Sequence, residues 1–210
     1  SSAASDVYKR QDFGCMGENG RGMWEVQNLK DRSNVIMIGT GSKCLSTNIG
    51  FAACQNPKVI EYLKVESSSY KYTNALTPIQ AATSLSNLRI LRSELGKQKR
   101  RKVLENYKYL RSKLEAKGYT VFGNPCPILP LLVGNEVVSR MVSRLMMDNG
   151  VHANGIEWPV VPIGQARLRV TLMPQHTLDH LDTFVSTFEK CLIQANQIFE
   201  KSMKEFEEKL

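Results

Sequence analysis

The run VIMIGTGSK, residues 35–43, ends on a lysine. An ammonium is strongly hydrated, so Lys43, delivered to the mouth of an apolar run, needs a partner or a task. Small residues surround it, and an amine presented in this way can attack a carbonyl to form a Schiff base. Thr40 and Ser42 lie on the same turn, where their hydroxyls can donate to a phosphate. Spacing alone leaves this chemistry open beside a plain surface lysine after a strand. Arg169, the second arginine of ARLR, offers a planar guanidinium that can clamp a carboxylate through two parallel hydrogen bonds. A strand arginine in a surface ion pair fits it equally well. His176 precedes a helix cap and reads as a positioning or capping histidine more readily than as a catalytic one. His152 and His180 show no ligand spacing and receive no role, and Trp24 and Trp158 read as packing residues.

Other residues narrow the classes. The five cysteines are scattered without CxxC spacing, so neither a metal site nor a disulfide framework is expected. A reducing compartment follows, cytoplasmic or mitochondrial rather than secreted. No apolar run approaches the ~20 residues that span a bilayer, and no leader is visible. The net charge of +8 favours anionic ligands in general. Its densest part, KQKRRK at 97–102, suits nucleic acid or the phosphates of coenzyme A, but reads first as a solvated helix face. No aromatic residue interleaves with it, so no nucleic-acid partner is expected.

These side chains need elements to hold them. The segment DFGCMGENGRGMWE is a loop with glycines at 14, 17, 20 and 22, suited to positive φ. NVIMIGT reads as a fully apolar strand of a parallel sheet covered on both faces. NPKVIEYLKVES is a helix with Asn56 as cap and Pro57 in its first position. Helical patterns fill 77–117, the second with a stripe of Val103, Leu104, Tyr107, Leu110 and Leu114 ended by Gly118. Beyond it, YTVFG, PILPLLVG, VHANGI and QARLRVTLM read as strands. NEVVSRMVSRLMMDNG reads as a helix, and a last long helix is capped by Thr177. This second part is an α+β unit with helices on one side of a small sheet. The first eleven residues, SSAASDVYKRQ, resemble translated adapter sequence and are expected to be an unstructured tail. The domain would then begin near Asp12, in mid-fold.

Four blocks, in order, carry a resemblance. GTGSKCL resembles the lysine motif of the α-oxoamine synthases, fold-type-I enzymes that use pyridoxal 5′-phosphate. GCMGENGRGMWE resembles the glycine loop that follows their cofactor-binding Asp-x-x-His. YKYTNALTP resembles their YxxSNTLxP segment, and WPVVPIGQARLRVTLMPQHT resembles PVVPxGQARxR…AHT. The last two blocks look closest to 2-amino-3-ketobutyrate CoA ligase. The resemblance implies an α/β fold: the end of a large parallel-sheet domain over 12–76, connecting helices over 77–117, and a small C-terminal α+β domain over 118–210.

It also implies roles. Lys43 would be the Schiff-base lysine and would move the substrate α-proton. Thr40 would bond the cofactor phosphate, Thr73 would reach the phosphate in a neighbouring subunit of a homodimer, and Arg169 would grip the substrate carboxylate. The implied activity condenses an amino acid such as glycine with an acyl-CoA to an α-amino ketone or 2-amino-3-ketoacid. A decarboxylating, serine palmitoyltransferase-like synthase and a class I/II aminotransferase are the alternatives. A basic nucleic-acid module and an inactive scaffold subunit are more distant ones. Two departures stand out. STNIGF replaces the usual Gly-Gly-Tyr after the lysine, keeping only Gly50. The aspartate and histidines that hold the cofactor ring belong before Asp12, so the fragment alone is expected to be close to inactive.

Overall fold

The computed structural model of the chain describes residues 5–9, as backbone, and 12–208. They form two units, Ser1–Arg100 and Arg101–Leu210, each with its own three-stranded sheet.

In the first unit, strand β1 (Ser5–Lys9) precedes the glycine loop and a single helical turn, α1 (Met23–Val26). Strands β2 (Val35–Thr40) and β3 (Gly50–Cys54) follow. Next come helices α2 (Pro57–Glu66), α3 (Ser68–Lys71) and α4 (Pro78–Arg92), and then α5 (Glu94–Ala116), which continues past the boundary at Arg100. β2 is central, parallel to β1 and antiparallel to β3. This differs from the sequence reading in three places. Ser5–Lys9, expected to be unstructured, pairs along the whole of Val35–Gly39, because the apolar central strand offers a row of backbone donors and acceptors on that side. The rest of the expected tail, residues 1–4 and 10–11, lies outside the described residues. β3 received no assignment, since GFAAC is short and its small residues carry little strand signal, and its antiparallel pairing makes the sheet mixed rather than parallel. Finally, β2 is not covered throughout, for Ile38 is 38% exposed.

The helix signals hold. Asn56 accepts the Lys58 N–H at 3.0 Å and caps α2. Thr77 and Gln80 form a reciprocal capping box on α4, with Pro78 next to the cap.

The second unit runs β4 (Ile128–Gly134), α6 (Glu136–Asp148), β5 (Asn154–Ile156), β6 (Ala166–Thr171) and α7 (Leu178–Glu207). The sheet order is β4-β6-β5, all antiparallel. YTVFG, expected to be a strand, contributes only the bridge Val121–Leu131. The core joins the α5 stripe residues Tyr107, Leu110 and Leu114 to Leu129 and Leu131 of β4 and Leu168 of β6, all fully buried. Val142 and Met146 of α6 and Phe188 of α7 complete it. Phe184 and Phe188 stack, and Tyr119 meets Phe188 edge-on at 5.1 Å. β6 alternates strictly: Ala166, Leu168 and Val170 face the core, while Arg167 and Arg169 face away.

Candidate active site

The lysine turn is built from the end of β2 outward. Gly41 has no room for a side chain, since a Cβ there would run into Ile49 and Thr47. Its carbonyl accepts N–H bonds from Leu45 at 3.1 Å and Thr47 at 3.2 Å, and its own N–H donates to Ile49 O at 2.7 Å. The chain therefore folds back tightly, leaving 42 and 43 at the tip. Thr40 Oγ1 accepts the Ser42 N–H at 3.2 Å and donates to Ser42 Oγ at 3.2 Å, which puts the two hydroxyls side by side. Lys43 is exposed, and no ion pair or hydrogen bond engages its ammonium among the described residues.

The base of the turn is fixed by α4. Thr47 and Ser84 share a buried hydroxyl–hydroxyl bond of 3.0 Å, and Asn87 Nδ2 donates to Leu45 O at 2.8 Å. On the other side the turn meets the glycine loop, where Gly14 lies against the Cys44 side chain. All four loop glycines have positive φ. Glu25 closes the loop, its carboxylate accepting the N–H groups of Asn19 and Arg21 and the Asn19 side-chain amide. Burial pushes the Glu25 carboxyl upward, but those bonds and the Arg21 charge outweigh it and hold the group below the usual carboxylate range. Burial pushes the Cys44 thiol up to about 11, with Cys15 nearby adding to the shift, so neither cysteine is an activated nucleophile.

Arg100 is the structural residue that the sequence concealed. It sits inside KQKRRK, read as a solvated face, yet is only 6% exposed. Its Nε and Nη2 donate to Glu18 O at 3.1 and 2.9 Å, and its Nη1 donates to Leu91 O at 2.8 Å. One guanidinium thus ties the glycine loop to the end of α4. Thr73 lies in the exposed segment before α4, beside Tyr72, which is 85% exposed.

In the second unit the two strand arginines have different fates. Arg167 stacks 4.5 Å over Phe122 and donates to Gln165 O and Gln165 Oε1. Arg169, paired between Pro130 and Asn154, has no ion pair or side-chain hydrogen bond among the described residues. It lines a cavity of about 540 Å³ together with the polar His152, Asn154, His176 and His180 and the apolar Leu172 and Phe184. His176 Nδ1 accepts the Met173 N–H at 3.3 Å, and His180 Nδ1 accepts the Thr177 N–H at 3.3 Å in the cap of α7. Both are positioning roles, as the sequence reading favoured for His176. Burial, and then the neighbouring His180, hold the His176 pKa below 6.5. Asn106, fully buried, fixes the turn by donating to Met173 O and His176 O, both at 3.0 Å. Trp24 is half-buried under Arg32, whereas Trp158, expected to pack, is 62% exposed.

Comparison with known proteins places this arrangement. Residues 8–188 match the model of the aminotransferase class I and II family. The chain is 34% identical over 177 residues to 8-amino-7-oxononanoate synthase of Petrotoga mobilis, covering 84% of this chain and 44% of that protein. It is 32% identical over 177 residues to 2-amino-3-ketobutyrate coenzyme A ligase of Escherichia coli K12, with the same coverage, 84% and 44%. Among solved structures, a serine palmitoyltransferase with pyridoxal phosphate superposes with a TM-score of 0.81 at 26% identity, covering 91% of this chain and 48% of that one. The chain therefore belongs to the aminotransferase class I and II family, with the fold-type-I architecture. Within it, its place is among the α-oxoamine synthases. It spans about half the length of the curated relatives it matches.

Proposed function

We propose that this chain is part of a pyridoxal-phosphate-dependent C-acyltransferase that condenses a glycine-like amino acid with an acyl-CoA. The observation that carries the reading is the Lys43 amine, exposed on a tight turn beside two paired hydroxyls and without a partner of its own among the described residues. That donor set suits the group. Pyridoxal phosphate supplies an electrophilic aldehyde and an electron sink. The Lys43 amine would hold it and move a proton at the substrate α-carbon, and Thr40 would donate to its phosphate. Arg169, unpaired where Arg167 is committed, would hold the substrate carboxylate. Thr73 would act in the site of a second copy. The exposed side chains around it, Tyr70 at 64%, Tyr72 at 85% and Ile79 at 79%, support a homodimer there.

Borohydride reduction, with pyridoxal phosphate, of a chain completed to the length of the relatives, followed by peptide mapping, tests this. The expected result is a pyridoxyl group on Lys43 that is absent from Lys43→Ala. A label distributed over other lysines, with the Lys43 peptide unmodified, would overturn the assignment. A serine palmitoyltransferase-like, decarboxylating reaction is the second reading, supported by the structural likeness to that enzyme. Glycine, alanine and serine assayed with short and long acyl-CoA, on a chain completed to the length of the relatives, separate the two. Release of coenzyme A separates both from transamination.

A further inference from the structure

A second cleft, of about 350 Å³, opens in the second unit between α6 and the edge strand β5, and it shares no lining residue with the Arg169 cavity. Its residues recur one helical turn apart. Ser139 and Ser143 form one row on α6, and Arg140 and Arg144 form the next. Each guanidinium is oriented from behind by a carboxylate. Arg140 Nε donates to Glu157 Oε2 at 2.7 Å, and Arg144 Nε donates to Asp148 Oδ2 at 3.3 Å. Their terminal Nη groups have no partner among the described residues, so two forks one helical turn apart remain available.

The floor beneath them is closed. Gly155 faces Ser139, whose Oγ would lie 3.5 Å from a Cβ placed there. Ser139 is 1% exposed, and its hydroxyl has no hydrogen-bond partner among the described residues. Ser143 Oγ donates to Ala153 O at 2.6 Å and draws the chain before β5 onto the helix.

We propose that this cleft binds a small phosphate monoester. A planar carboxylate can satisfy one guanidinium fork, whereas the three terminal oxygens of a phosphate monoester can span two forks. Glu157 and Asp148 cancel much of the local positive charge, so recognition here rests on the two neighbouring forks rather than on long-range attraction. The volume leaves room for a body beside the phosphate. This site is independent of the acyl-transfer reading.

The test is an amide-resolved NMR titration of the chain with inorganic phosphate, adenosine 5′-monophosphate, adenosine and acetate at constant ionic strength. Saturable shifts at residues 139–144 and 155–157 are expected with phosphate and the monophosphate, and none with adenosine or acetate. The double variant Arg140→Gln/Arg144→Gln, whose side chains are largely exposed, should keep the fold and weaken binding at least ~10-fold. Shifts that fail to saturate, that acetate reproduces, or that survive the double variant would overturn the proposal.

Discussion

Arg167 and Arg169 sit two residues apart on the same face of β6, and their surroundings make them different reagents. Arg167 is held by Phe122 and Gln165, and substituting it disturbs packing. Arg169 has hydrogen-bonding capacity to spare and a cavity beside it. In a chain completed to the length of its relatives, Arg169→Lys keeps the charge but loses the fork. It should lower kcat/KM for the amino acid ~10–100-fold, the effect of losing a charged hydrogen bond worth about 1.5–3 kcal/mol. Arg167→Lys, measured in the same steady-state assay, should change it little. A second residue-scale prediction concerns Arg100. Arg100→Ala leaves the carbonyls of Glu18 and Leu91 without their donor, and should cost about 3 kcal/mol of stability in urea unfolding, with the loss centred on the glycine loop. Legibility differs between these residues for a physical reason. Lys43, Thr40 and Arg169 could be singled out because their neighbours resemble a known pattern, and their roles stand as proposals. Arg100 was not, because a basic run on a helix has the same composition whether one member is buried or none is. Only the geometry of the carbonyls facing it separates the two cases.

Elements show the same division. Helices whose caps and apolar stripe are local, such as α2, α4 and α7, were legible from sequence, since the cap side chain and the N–H it accepts lie within three residues. β3 and β1 were not, because strand pairing depends on a neighbour distant in sequence and GFAAC has almost no strand signal of its own. The start of α7 adds a pH-dependent feature. His176 accepts the Met173 N–H on Nδ1, so protonation there places a hydrogen where the backbone donor points. With its pKa held below 6.5 in the fold, the unfolded chain binds more protons than the native one as pH falls through that value. Stability is therefore full above that range and declines below it. Denaturant midpoints measured between pH 7 and 5 should fall for the wild type, and His176→Asn should flatten the slope. Glu25 acts in the same direction at lower pH. Its depressed carboxyl contributes stability above its unfolded pKa that is lost as pH falls through its folded one, and this should loosen the glycine loop first.

The two units are unequal in how much they bury. The large buried cluster from Tyr107 to Ala195 lies wholly within the second unit, where sheet, α5, α6 and α7 close on one another. Among the described residues, the first unit holds only Met16, Val35 and Leu45 as buried apolar side chains, beside polar ties such as Thr47–Ser84. It leaves Tyr62 at 65%, Val65 at 58%, Tyr72 at 85% and Ile79 at 79% exposed. Apolar burial contributes about 25 cal/mol per Å², and ordering the backbone costs roughly 1–2 kcal/mol per residue, so a unit that covers so little of its own apolar surface gains little from folding alone. A piece comprising residues 93–210, which keeps the whole of α5, should therefore fold by itself and unfold in one cooperative urea transition followed by circular dichroism. A piece comprising residues 1–92 should show no cooperative transition and should bind a hydrophobic dye. If the first piece melted gradually and the second cooperatively, the division of stability argued from burial would be reversed. The surface supporting the glycine loop and Lys43 would then be self-sufficient.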